Sequence, residues 1–151
     1  MQRNKDVIER HLQLQDVRVG DWVQEYSEIT DKLSIPMYVS AIFENGDVYL
    51  DFNGNEADVW EEEIENIVPI QIDEDILKGF GFEHDKDIGD FFLRVGDRKL
   101  YVHRFQYDLS MWVIQFDDDV RYTPTCRNIH ELQHIFYKYT RKPLILGWRG
   151  F

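Results

Sequence analysis

Between residues 33 and 77 the chain has no lysine, arginine or histidine, yet it holds twelve aspartates and glutamates. The whole sequence of 151 residues counts 29 acids against 17 Lys plus Arg, so the remainder carries 17 of each and is neutral. The formal charge of −12 therefore belongs to one stretch. A face built from it repels phosphate backbones and attracts basic surfaces, so direct nucleic-acid binding through this segment is disfavoured. A single cysteine, Cys126, excludes an internal disulfide and any cysteine-rich zinc site. The first fifteen residues contain no apolar run of signal-peptide length, and no later stretch approaches a membrane span. Together these absences predict a cytosolic protein that neither enters a membrane nor carries a prosthetic group.

What is present is enough for a core: 43% of residues are hydrophobic and 15% aromatic, and the ten Phe, eight Tyr and four Trp favour strands. Residues 1–16 form a leader in which Val7, Ile8, His11 and Leu12 have helix-like spacing. Residues 17–71 read as β structure, with strands expected at 17–23, 37–43, 48–52, 57–60 and 67–70 and a helical turn at 61–65. Asn45-Gly46 and Asn53-Gly54 supply the positive φ angles of tight hairpins. Five short strands in so few residues predict a small SH3-like barrel, which is the acidic part of the chain. Residues 72–151 read as an α-β-β-β(-β)-α half. It has a helix at 74–78 capped by Asp73, strands at 91–95, 99–106 and 111–116, a fourth candidate at 120–123, and a final helix. In that last helix Asn128 and Glu131 make a capping box, and Ile129, Leu132, Ile135, Phe136 and Tyr139 form an apolar stripe. The expected fold class is α+β.

Three stretches occur in order along the chain: Val17-Arg18-Val19-Gly20-Asp21-Trp22-Val23, then Ile67-Val68-Pro69-Ile70 followed by Ile76-Leu77-Lys78-Gly79-Phe80-Gly81-Phe82, then Ile129-His130-Glu131-Leu132-Gln133-His134. This set resembles a family of uncharacterised proteins from Bacteroidetes genomes and their phages and mobile elements. Members of that family resemble one another in an N-terminal LRIGN-V motif, a central PIPLT…L…GF motif and a C-terminal VHQLQN motif. Here Asp21 stands where Asn is usual, His134 replaces the final Asn, and a leader precedes the barrel. The resemblance implies a phage or mobile-element context, in a bacterial cytoplasm or an infected cell, and supplies no catalytic residue.

The sharpest chemical motif is His130-Glu131-Leu132-Gln133-His134, which fits the H-E-x-x-H pattern of a zinc hydrolase with His130 and His134 as ligands and Glu131 as base. Such a pair needs a third protein ligand, and after His134 this sequence has no His, Asp or Glu. The capping box also commits Glu131 to the main chain. Zinc hydrolysis therefore stands as an alternative, and no catalytic residue is assigned. Asp51, Asn53, Asn55 and Glu62 approximate a calcium loop, but Glu56 occupies the glycine position and the flanks read as strands. Cys126, at the start of a helix, is expected to be a partly buried small residue; the alternative is a thiol somewhat acidified by that position.

Trp22, Tyr26, Tyr49, Phe52 and Trp60 are the aromatic set from which an SH3-like reader of peptides or methylated ammonium groups would be made; most are expected in the core. Tyr101, His103, Phe105 and Tyr107 alternate on one strand. Arg94, Arg98, Lys99 and Arg104 leave a weaker nucleic-acid reading for the second half. The favoured expectation is a non-catalytic interaction module for a basic partner protein. Glu56, Asp58, Glu61, Glu62, Glu63 and Glu65 provide its attraction, and Trp60 or Trp22 provides an anchor.

Overall fold

A computed structural model describes residues 10–55 and 58–150. The chain is α+β, and it divides into two compact units, Met1–Ile70 and Gln71–Phe151.

In the first unit, β1 (Trp22–Ser27), β2 (Lys32–Leu33), β3 (Met37–Ile42), β4 (Asp47–Asp51), β5 (Trp60–Glu63) and β6 (Ile67–Pro69) form one antiparallel sheet in the order β2-β1-β3-β4-β5, with β6 pairing β1. Alternation sends Val23, Met37, Val39, Val48 and Leu50 to one face, where they pack with Ile64 and Ile67. The sheet curls into a half-barrel around this core. A register shift between Val39 and Ala41 leaves Ser40 as the extra residue of a bulge in β3, the kind of irregularity that bends a strand and raises its twist. The β3–β4 hairpin turns at Gly46, whose φ of +97° suits the residue without a Cβ. A 3-10 turn, Ile64–Asn66, links β5 to β6.

In the second unit, α1 (Glu74–Gly79) is capped by Asp73, whose carboxylate accepts the Ile76 N–H at 2.7 Å. Strands β7 (Glu83–Asp85), β8 (Asp90–Val95), β9 (Arg98–Arg104), β10 (Trp112–Phe116) and β11 (Thr125–Cys126) then make an antiparallel sheet in the order β11-β10-β9-β8-β7. Helix α2 (Ile129–Thr140) follows, and its Phe136 lies 6.0 Å from Phe116, ring to ring. Trp112 is buried, and its indole N–H donates to the Ile72 carbonyl at 3.0 Å. Glycine at position 79 has a packing reason: a Cβ there would overlap the Trp148 ring, which sits 5.0 Å from Phe80.

Several sequence expectations shift. The strand expected at 17–23 begins at Trp22, because Asp21 closes a turn with Arg18: its carboxylate accepts the Arg18 N–H at 2.9 Å and its own N–H donates to the Arg18 carbonyl at 3.0 Å. The strand expected at 57–60 is Trp60–Glu63, and the helical turn moves on to Ile64–Asn66 because Ile64 is needed in the core. Residues 120–123 form no strand. Pro124 and Thr125 reach β10 instead, after a turn in which Asp117 takes φ +50° and Asp119 accepts the Arg121 N–H. The short strands β2 and β7 were not legible. The first part of the expected leader helix, residues 4–9, lies outside the described residues. Beyond it Leu12 is buried in the first core, and its N–H donates to the Ile67 carbonyl at 2.8 Å.

Candidate functional site

The half-barrel ends in β5, the strand Trp60-Glu61-Glu62-Glu63, which pairs with β4 through Leu50↔Trp60, Tyr49↔Glu61, Val48↔Glu62 and Asp47↔Glu63. Period-two alternation puts Trp60 and Glu62 on the side of the core residues Leu50 and Val48, and Glu61 and Glu63 on the outer face. Like charges stand opposite each other at Asp47 and Glu63, a pairing that costs stability in an isolated sheet. Asp58, Glu61, Glu63 and Glu65 are exposed and Glu62 half-buried, while Glu56 lies outside the described residues.

Among the described residues no ion pair involves any acid between residues 33 and 77; the five ion pairs all join residues of the second unit. The inner side of β5 holds a further acid from outside the acidic stretch. Glu25 of β1 accepts the Trp60 indole N–H at 2.7 Å and shares a hydrogen bond with Glu62. Burial, followed by that hydrogen bond and by repulsion from Glu62, pushes the Glu25 carboxyl up from 4.5 to about 7, with the Trp60 N–H opposing the shift. Glu62 is held in turn by the Glu63 main-chain N–H and the Asn66 amide, both at 2.8 Å. Sequence reasoning missed Glu25 because its partners are 35 residues or more away in the chain; its one local signal is a glutamate in an otherwise strand-forming run.

Of the two expected anchors, Trp22 is 2% exposed and Trp60 44% exposed, so the solvent-facing indole is Trp60. Trp22 packs against Tyr38 at 5.3 Å, and Tyr26 is buried with its hydroxyl on Asp31. Phe52 meets Trp60 edge-on at 6.4 Å and Tyr49 packs on Phe43 at 4.8 Å. Phe52 and Trp60 thus meet, while Trp22 and Tyr26 are buried and closed to a ligand.

The other candidates resolve into local structure. Asp51 is buried and accepts the Phe52 N–H at 2.9 Å and the Asn55 amide at 3.3 Å, closing the hairpin turn on itself, while Glu62 is engaged elsewhere. His130 and His134 stand 5.5 Å apart, ring to ring, on α2, and His130 is buried. Glu131 accepts the Asn128 N–H at 3.1 Å and its amide at 2.8 Å, so the carboxylate a zinc hydrolase would use as base is occupied by the cap. Among the described residues no three His, Cys, Asp or Glu side chains are grouped to hold a metal. Cys126 is buried at the helix entry, and burial together with Glu131 pushes its thiol up to about 12, against the alternative of an acidified thiol.

The cations of the second unit are spread over both faces of its sheet. Arg94 and Lys99 lie over the Phe92 ring, at 5.5 and 4.9 Å. Arg98 pairs with Asp117 at 2.9 Å, and Arg104 lies 4.6 Å over Trp112 while donating to the Leu109 carbonyl. Tyr101 and His103 share the face of Phe92, whereas Phe105 and Tyr107 lie beyond β9. A basic stripe able to follow a phosphate backbone does not form from these four residues. No helix among the described residues is long and apolar enough to cross a membrane. Comparisons with protein-family models, with curated proteins and with solved structures find no match to this chain.

Proposed function

We propose that the protein is a non-catalytic interaction module in which an SH3-like barrel presents an acidic face to a basic partner protein. The setting suggested by its sequence motifs is a phage or mobile element of Bacteroidetes type, acting in the bacterial cytoplasm. One observation carries the reading: the carboxylates between residues 33 and 77 have no ion-pair partner among the described residues. Their field therefore extends into solvent, where clustered charge of one sign raises association rates with opposite charge by roughly 10- to 1000-fold. The closure of β6 on β1 directly after a 3-10 turn supports the SH3-like reading of the half-barrel. Asp58, Glu61, Glu63 and Glu65 supply the long-range attraction, and the half-exposed Trp60, on the other side of β5 from Glu61 and Glu63, supplies an apolar contact beside them.

The test is the association rate of a basic partner, captured from the native host, as a function of ionic strength. The rate is expected to fall steeply as salt rises toward about 0.5 M, where screening acts over a few ångströms. Reversing Glu61, Glu62 and Glu63 to lysine is expected to abolish the rate enhancement. A partner indifferent both to salt and to this reversal refutes the reading.

A further inference from the structure

Strand β5 pairs with β4 on one side, and no strand among the described residues pairs with its other side. The Ile64 N–H donates to the Gly46 carbonyl at 2.9 Å, which fixes the phase of the ladder. Main-chain groups facing a neighbour alternate along an antiparallel strand, so those of Trp60 and Glu62 point at β4 and those of Glu61 and Glu63 point outward. Glu62 meets the outward Glu63 N–H with its own carboxylate. The N–H and carbonyl of Glu61 and the carbonyl of Glu63 are left facing solvent on an exposed strand. Open edges of this kind template the addition of another strand, and they are commonly protected by lysine, proline or a bulge. This one has none of those; its protection is negative charge alone.

That charge selects the occupant. A second copy pairing through the same edge sets glutamate against glutamate in every register that overlaps Glu61 to Glu63 with itself, so the edge disfavours its own copy. An extended segment with lysine or arginine at alternate positions would place them beside Glu61 and Glu63 on the outer face, with its intervening side chains next to Trp60. We propose that β5 takes up an extended, alternately basic segment of the partner protein as a seventh strand of this sheet, main-chain hydrogen bonds giving the grip and the two glutamates the selection. This rests on the acidic-face reading above and adds the geometry of the contact.

The experiment uses the full chain and two synthetic peptides of alternating lysine and threonine, identical except that one is N-methylated along its hydrogen-bonding edge. The charges are the same, so only strand addition tells them apart. The unmodified peptide is expected to bind at least about tenfold more tightly, the worth of one or two lost hydrogen bonds, and to slow hydrogen exchange at the Glu61 amide. Equal, salt-sensitive binding of both peptides overturns strand addition and leaves the acidic-face reading intact. Binding of the unmodified peptide alone, but without salt dependence, overturns the basic occupant. Binding by neither overturns the proposal, and so does self-association of the chain through β5 when salt is raised.

Discussion

The first unit, Met1–Ile70, has 16 Asp plus Glu against 5 Lys plus Arg, whereas Gln71–Phe151 has 13 against 12. In the second unit the opposite signs meet: Arg98 with Asp117 at 2.9 Å, Arg127 with Asp108 at 3.2 Å, Arg121 with Asp119 at 3.5 Å, Arg94 with Glu83 at 3.7 Å. Each of these exposed pairs adds little stability, but together they cancel the local field. In the first unit the acids meet one another, at Asp47 opposite Glu63 and at Glu25 beside Glu62. Two sheets of similar size thus reach opposite electrostatic ends. The neutral one pairs its charges with one another, and the carboxylates between residues 33 and 77 of the acidic stretch have no ion-pair partner among the described residues.

Substitutions sharpen this contrast when they separate packing from charge. The largest expected effect is Trp112→Ala in the second unit, which removes a buried indole and its hydrogen bond to Ile72 and should cost about 3–5 kcal/mol at any pH and salt. Denaturant unfolding at two ionic strengths measures it; a cost that shrank with salt would mean that charge, too, governs this unit. Gly79→Ala follows at about 1–3 kcal/mol, because the new methyl meets the Trp148 ring. Full stability in that variant would show that Trp148 is not seated against α1.

The smallest effect has the opposite sign. The Glu25 carboxyl is raised from 4.5 to about 7, so between these pH values the folded protein holds a proton that the unfolded chain releases. Stability therefore falls as pH climbs through that window, and the loss is complete above about 7. Glu25→Gln removes the titration and should raise the melting temperature at pH 8 while giving no gain near pH 4. A variant whose difference from the parent is the same at both pH values would contradict the Glu25–Glu62 contact.

Much of the local structure could be read directly. The capping box of Asn128 and Glu131, the Asp73 cap and the turn at Gly46 depend on neighbours a few residues apart, and such contacts leave a pattern in the sequence. Strands β2 and β7 escaped because each is very short, two and three residues, and is defined by its partner more than by its own alternation. The acidic part of the site was legible as composition. Its organisation was not: that Glu61 and Glu63 share the outer face, that Trp60 and not Trp22 reaches solvent, and that Glu25 joins them all depend on strand register.

The amino-acid sequence alone determined where the charge lies, since net charge is a sum over residues and does not depend on how they are arranged. It also determined the caps and turns, which are short-range. Only the tertiary structure decided that these carboxylates have no ion-pair partner among the described residues, that two glutamates share a seam with a tryptophan, and that the acidic strand lies at an edge of its sheet. Those are relations between residues far apart in the chain, set by sheet order and curl, and no local pattern encodes them.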